Sequence, residues 1–386
     1  MNNRFDELDS LRGLAASSVL ISHLFLAIPG AYFLEKFKNT PVHSLWGGHE
    51  AVILFFVLSG FVLSLSYYKD KAPKYKDYLI KRICRIYFPY LASILLSIIL
   101  MSMFSRMPLV GLDKAINNTW LNTFTMESLI NHVIFVGDFQ SQMYNPVVWS
   151  LIHEMRISIV FPLLMYFLVK LNWKKSIVIA PVCTVLYFVI WYFVFKVFHA
   201  NPTYLITLHY VGFFILGSLI ARHREYLKNL YTNFSNIIKI IVLLAAILCY
   251  TYTWWFLPNV VYAHLTIIND WFIALGGSVF IVYSNNTAMI KRLLLFKPIH
   301  FIGKTSYSLY LFHLPVFLTL INIFYGKIPT WLILIISFIA SYVFAGIMYY
   351  LVEKPSILLG RRLTTNKNKL TLNSGQFNEI KVKLYR

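Results

Sequence analysis

Residues 330–352 read TWLILIISFIASYVFAGIMYYLV, a run of 23 residues without Asp, Glu, Lys or Arg. A helix of that length rises about 35 Å, and the hydrocarbon core of a bilayer is about 30 Å thick. Residues 306–325, SYSLYLFHLPVFLTLINIFY, form a second such run, and four residues separate it from the first. Two apolar runs of spanning length with a short connection between them predict a transmembrane helical hairpin.

Runs of similar length recur along the whole chain of 386 residues. Only 13% of the residues are charged and 58% are hydrophobic, whereas about a quarter of the residues of a soluble protein are charged. We therefore predict an all-α polytopic integral membrane protein with about ten transmembrane helices. The predicted spans are residues 14–33, 50–68, 86–105, 146–168, 176–198, 204–221, 237–257, 264–284, 306–325 and 330–352.

The segments between these runs predict the domain organisation. None is long and polar enough for a separate soluble domain, so we expect one membrane domain over residues 1–356 and a basic, flexible cytoplasmic tail over 357–386. Residues 106–145 are mildly apolar and too long for a turn, which favours an outer cap or a re-entrant element. The three cysteines lie far apart, a pattern that provides neither a disulfide framework nor the spacing of a metal site.

The distribution of Lys and Arg between the loops predicts the orientation. With the N-terminus in the cytoplasm, ten spans return the C-terminus to the same side. The cytoplasmic segments then hold 28 of the 35 Lys and Arg residues, the outer segments hold six, and Arg156 lies within a span. This asymmetry predicts two cytoplasmic termini. Because most of the basic residues lie in cytoplasmic loops, membrane topology and contact with lipids account for the net charge of +20, and we expect no nucleic-acid partner.

Ionisable side chains inside a span are costly and indicate functional sites. His23 lies nine residues into the first run, and Arg12 lies eleven residues before it. Eleven residues of an α-helix make slightly more than three full turns, so both side chains project from one face about 16 Å apart. This spacing predicts a cation at the inner membrane surface and an imidazole at mid-depth. The alternative is a histidine that only packs between helices and an arginine that only sets the orientation.

The fourth run carries Glu154 and Arg156 at a similar depth. Two residues apart on a helix they point in different directions, so each needs a partner from another helix. His23 is at a compatible depth for Glu154, and we expect the two to meet. A structural ion pair is the alternative.

Further polar residues lie within the predicted spans or at their ends. Arg82 and Arg85, three residues apart, would form one cationic face suited to a phosphate ligand, or to anionic lipid headgroups. Ser306, Tyr310 and His313 would line one stripe of the ninth span. Asp270 is a lone acid in the eighth span, as suited to packing as to a site, and His209 and His264 are expected at the outer interface.

Six short motifs occur in order over residues 5–356. They are Phe5–Ala16 (FDELDSLRGLAA) followed by His23, Phe55–Phe61 (FFVLSGF), Arg82–Arg85 (RICR), Trp149–Leu151 (WSL) with Glu154 and Pro162, Ser306–His313 (SYSLYLFH) and Val352–Pro355 (VEKP). Together they resemble the motifs of the membrane acyltransferase-3 family. Residues 155–158 (MRIS) depart from the family pattern, which usually has an acidic or amide pair and an aromatic residue soon after the glutamate.

The resemblance implies an enzyme of the bacterial cytoplasmic membrane. It would move an acyl group, usually acetyl from cytoplasmic acetyl-CoA, to a hydroxyl of an extracytoplasmic or lipid-linked glycan of the cell envelope, such as a polysaccharide or lipopolysaccharide. Acetyl-CoA would be a co-substrate, with no permanently bound cofactor and no metal. The implied roles are donor binding for Arg12, Arg82 and Arg85; catalysis for His23, oriented by Glu154; and a substrate tunnel lined by Ser59, Trp149, Ser150, Tyr307, Tyr310 and His313.

Two functions outside enzymology remain compatible with the residues alone. A secondary transporter would also place His and Glu at mid-depth, but the sequence shows neither the inverted repeat nor the paired broken helices that would favour one. A lipid-binding scaffold would use the basic inner face, but it gives no reason for His23 and Glu154.

Overall fold

The structure is a computed structural model that describes residues 5–27, 37, 39–68, 72–121, 124–137, 139–200, 202–257 and 266–365. Over these residues the chain is mainly helical, without a β-strand, and one helix overlaps each predicted span. The ten helices are α1 (Asp6–Leu26), α2 (Gly48–Ser64), α3 (Tyr75–Phe104), α4 (Trp149–Lys170), α5 (Trp173–Phe198), α6 (Thr207–Arg222), α7 (Asn236–Phe256), α8 (Ile267–Asn286), α9 (Ser306–Phe324) and α10 (Thr330–Met348).

Seven helices in the described part of the chain are long and apolar enough to cross a membrane: α3, α4, α5, α7, α8, α9 and the helix that begins with α10. Helices α2 and α6 are apolar but shorter. The prediction of an all-α polytopic membrane protein is therefore confirmed. The number of spans and the side of each terminus remain predictions.

Several helices begin where a polar side chain caps the free backbone N–H groups of the first turn. Asn172 accepts from the Lys174 amide before α5, Ser235 from the Ile238 amide before α7, and Thr266 from the Asn269 amide before α8. At the other end of the chain, α10 continues through a π-helical turn, Tyr349–Glu353, and the helix extends to residue 365. Residues 366–386, most of the predicted tail, lie outside the described residues.

Helices α1, α2 and α9 form the centre of the bundle. Helix α1 packs against both of the others and against a short helix, Lys297–Lys304, while α9 also contacts α3 and α10. In α9, 67% of the apolar window is buried inside the protein, against 17% in α5. Because lipid tails are as apolar as these side chains, a hydrophobic helix can lie at the edge of a membrane bundle without penalty.

Glycine allows two of the central contacts. A Cβ atom on Gly13 would lie 2.6 Å from the backbone nitrogen of Gly303, so α1 and the helix Lys297–Lys304 touch backbone to backbone. A Cβ atom on Gly60 of α2 would collide with the Phe214 carbonyl of α6, and one on Gly217 would collide with the Val57 carbonyl. Small residues at such crossings let membrane helices approach closely and maximise their packing.

The segment between α3 and α4 forms a cap. Its described residues contain two short helices, Lys114–Asn117 and Met126–Ile134, neither of which could cross a membrane. Arg156 of α4 holds the segment by donating to the carbonyls of Val136, at 3.0 Å, and Gly137. Arg156 therefore has partners in the cap and also in α6, where its Nη1 lies 3.4 Å from the Thr207 hydroxyl.

Candidate functional site

Two cavities lie between the central helices. We call the first the arginine cavity; it is lined by Arg12, Ser59, Arg82, Arg85, Ser150, Glu154, Ser306, Tyr307 and Tyr310, with apolar side chains between them. We call the second the histidine cavity; it is lined by His23, His49, Trp149 and Tyr310, and by Ile116, Asn118, Thr119 and Gln142 from the cap. Val52 and Tyr310 line both cavities. The two cavities therefore meet at these two side chains.

The three arginines predicted to bind the donor do share one cavity, but their surroundings differ. Arg12 donates to Asp9, at 3.1 Å, and to the Leu58 carbonyl, at 3.2 Å. Arg82 is buried and forms an ion pair with Glu154, whose Oε1 is 2.7 Å from its Nη2. Arg85 is exposed on the same face of α3. The guanidinium of Arg85 is therefore the most accessible of the three.

Glu154 is held by α2 and α3. Besides the ion pair with Arg82, its Oε1 accepts a hydrogen bond of 3.1 Å from the Ser59 hydroxyl. Arg82 in turn donates to the Ser158 hydroxyl through Nε, at 3.1 Å, and Nη2, at 2.9 Å. Ser158, one of the positions where the sequence departs from the family pattern, is thus part of this network.

Tyr310 stands in the wall between the cavities, and its hydroxyl is immobilised. The hydroxyl donates to the Val147 carbonyl at 2.9 Å, and it lies 2.7 Å from the Ser150 hydroxyl. Because Tyr310 has one proton and a carbonyl only accepts, Ser150 is the donor in the second bond. Tyr307 is similarly fixed, since it donates to the Ile86 carbonyl at 2.9 Å.

His23 is paired with His313. The Nε2 atom of His313 lies 3.1 Å from Nδ1 of His23, and each Nδ1 also lies within 3.0 Å of a backbone carbonyl, that of Leu309 or Val19. Because a carbonyl only accepts, both Nδ1 atoms carry hydrogen, and the Nε2 lone pair of His313 receives the His23 Nδ1–H. The unprotonated nitrogen of His23 is then Nε2, in a ring that lines the histidine cavity.

One expectation from the sequence is wrong. Glu154 does not contact His23; its carboxylate pairs with Arg82 and Ser59 in the arginine cavity, whereas His23 lies beside His313 in the histidine cavity. Similar depth in two helices did not bring the residues together, because depth does not specify the direction in which each side chain points. His313 backs His23 and is fully buried, so it does not line either cavity.

The carboxylate that does meet a cavity histidine is Asp270. Its Oδ1 lies 2.6 Å from Nε2 of His49, and its Oδ2 lies 3.1 Å from Nε2 of His209. His209 is completely buried, so the expectation of an interfacial residue is also wrong. His264 lies outside the described residues. His49 was not singled out from the sequence because it precedes the predicted second span by one residue; it lies in the first turn of α2.

A family model described as an acyltransferase domain matches residues 5–350. Neither the curated proteins nor the solved structures include a significant match. The match extends over nearly the entire helical bundle and includes both cavities. The chain therefore belongs to the acyltransferase-3 family and is a multi-pass membrane acyltransferase.

Proposed function

We propose that the protein transfers an acyl group, acetyl in the simplest case, from cytoplasmic acyl-CoA to a hydroxyl of an extracytoplasmic or lipid-linked glycan at the bacterial cytoplasmic membrane. The observation that carries the proposal is the pair of cavities. One is cationic, the other contains an imidazole base, and they share Tyr310 and Val52. A thioester held in the first can thus face a hydroxyl held in the second.

The arginine cavity is the donor site in this proposal. Coenzyme A is multiply charged, and guanidinium groups bind its phosphates through charge-assisted hydrogen bonds. Arg85 is the principal phosphate ligand because it is exposed, and Arg12, which lines the same cavity and is less exposed, is the second. Arg82 acts indirectly: its charge is balanced by Glu154, and the pair shapes the wall along which the pantetheine arm passes.

The histidine cavity is the acceptor site. Nε2 of His23 takes the proton of the acceptor hydroxyl, and the oxygen attacks the thioester carbonyl carbon. The new C–O bond forms as the C–S bond breaks, and the sulfur leaves with the electron pair and takes up the proton from His23. The His313 contact keeps the ring of His23 in one orientation throughout. An alternative route, in which the acyl group rests briefly on Nε2 of His23, uses the same nitrogen.

Incubation of the purified protein with radiolabelled acetyl-CoA and an envelope glycan fraction tests the proposal. We expect label in the glycan with wild-type protein and almost none with His23→Ala. Label retained on denatured wild-type protein would select the acyl-histidine route. Intact acetyl-CoA and unlabelled glycan, with a folded protein that binds coenzyme A, would refute the proposal.

A further inference from the structure

His49 is the second histidine of the histidine cavity, and it is held more firmly than His23. Its Nε2 atom is 2.6 Å from the Asp270 carboxylate, while 23% of its side-chain surface remains exposed. Asp270 is fixed from behind, because His209 lies 3.1 Å from its other oxygen. His209 is itself held by the Thr184 hydroxyl, at 2.9 Å. A chain of three buried groups, Asp270, His209 and Thr184, from three helices thus orients one partly exposed imidazole of a fourth.

This orientation determines which nitrogen of His49 can meet a ligand. A carboxylate accepts hydrogen bonds, so Nε2 of His49 carries the hydrogen, and in the neutral form of the ring Nδ1 has the lone pair. The histidine cavity then contains two imidazole lone pairs, Nε2 of His23 and Nδ1 of His49, from helices α1 and α2, which pack against each other. Two acceptors in one cavity match a ligand that presents two hydroxyl groups.

We propose that His49 is an acceptor-positioning residue: it accepts a hydrogen bond from a hydroxyl next to the one that reacts at His23. This inference rests on the proposed function and narrows its substrate class. The acceptor carries neighbouring hydroxyl groups, as a saccharide unit does, and an alcohol with a single hydroxyl would be a poor substrate. His49 thereby selects the position that is acylated.

Two substitutions separate this role from proton transfer. His49→Gln retains a side chain whose amide can donate to Asp270 while its oxygen accepts from the acceptor hydroxyl, whereas His49→Leu removes both capacities. Gln cannot act as a base, so it rescues positioning but not proton abstraction. His199→Gln is the matched control, because His199 is exposed at the end of α5 and lines neither cavity.

The experiment uses the full chain in membrane vesicles from producing cells, with radiolabelled acetyl-CoA as the probe and the endogenous glycans as acceptors. We expect His49→Leu to lower labelling of the glycan by about tenfold or more, the effect of one buried hydrogen-bonding group left without its partner. His49→Gln should recover most of the rate, and His199→Gln should match the wild type. Coenzyme A affinity should be unchanged in all three, and NMR of the residual His49→Leu product should show acetyl groups at more than one position.

Three outcomes would overturn the inference while wild-type transfer persists. Normal labelling and position with His49→Leu would show that His49 does not contact the acceptor. If His49→Gln and His49→Leu were equally inactive, His49 would be a base. If the His49 variants lost coenzyme A affinity together with transfer activity, the role of His49 would be structural. Absence of labelling by the wild type would instead refute the proposed function, and with it this inference.

Discussion

His23 depends on His313, which the sequence predicted as a tunnel residue and not as the partner of His23. The Nδ1–H of His23 donates to Nε2 of His313 and to the Val19 carbonyl, which leaves Nε2 of His23 as its basic nitrogen. We expect His23→Ala to reduce transfer by about 10²–10⁴-fold, the usual contribution of a positioned base, with coenzyme A binding retained. Steady-state transfer assays combined with calorimetry measure both quantities.

The matched comparison for His23 is His313. His313→Ala should cost less than His23→Ala, because it removes the contact that orients the base but leaves the base in place. More than about a tenth of wild-type turnover in His23→Ala would argue against a catalytic role for that residue. His313 would then become the candidate base.

The ion pair between Glu154 and Arg82 makes a prediction about stability. Loss of one partner of a buried pair leaves an uncompensated charge and costs about 3–5 kcal/mol. We expect Glu154→Gln to lower the melting temperature and turnover, and a double variant with Arg82→Gln to recover part of the stability. Glu225→Gln is the control, because its pair with Arg224 is exposed, with Glu225 72% accessible. Strictly additive effects of the two substitutions would contradict the coupling.

Arg85 makes a separate prediction about the donor. Because it is exposed and lines the arginine cavity, Arg85→Ala should weaken coenzyme A binding by about 1.5–3 kcal/mol, the value of a charge-assisted hydrogen bond. Lys81→Ala removes the same charge from the same helix, but Lys81 does not line that cavity. Calorimetry with coenzyme A should therefore distinguish the variants. Equal effects would indicate a general attraction to the basic surface.

At the scale of the helices, the contact between α2 and α6 carries the sharpest prediction. Gly60→Ala or Gly217→Ala would place a Cβ atom against a backbone carbonyl of the facing helix, which cannot give way as a side chain can. We expect little folded, monodisperse protein from either variant. Gly346→Ala, where the nearest atom would be 3.6 Å away, should be as stable as the wild type or gain up to about 1 kcal/mol. Size-exclusion chromatography and thermal melting in detergent measure the difference.

The last two motifs act together at the same scale. Glu353, at the end of the π-helical turn, accepts from the Ser308 amide at 3.2 Å and from its hydroxyl at 2.6 Å. Ser308 lies in the first turn of α9, where backbone N–H groups lack partners within the helix. The glutamate of the VEKP motif thus closes the beginning of α9 and ties it to the end of α10. Tyr310 and His313 lie further along the same helix.

For the whole molecule, the charge asymmetry predicts the orientation. Reporter fusions at Lys76 and at the C-terminus should be cytoplasmic, and one near Lys114 should be on the outer side. The cap that carries Lys114 lines the histidine cavity, so the same experiment assigns that cavity to a side of the membrane. A C-terminal reporter that is active on the outer side would contradict the ten-span topology.

The site was predictable in part. The residues proposed for donor binding and for the tunnel each line at least one of the two cavities, apart from His313, which packs behind His23 instead. Their motifs lie close to the ends of apolar runs, and the run lengths set their depth. The predicted partner of His23 was wrong, and His49 was not predicted as a site residue. Both depend on contacts between helices that are far apart in the sequence: Asp270 lies 221 residues from His49 in the chain.

The sequence by itself determined the helices, since a bilayer demands about 20 apolar residues per span and satisfies backbone hydrogen bonds only within the helix. It also determined that Arg12 and His23 share a face, because helical periodicity is local. Only the tertiary structure decided that the Glu154 carboxylate pairs with Arg82 and that the Asp270 carboxylate pairs with His49. Those pairings depend on how each helix is rotated and how closely it approaches its neighbours, which packing at residues such as Gly60 and Gly13 establishes.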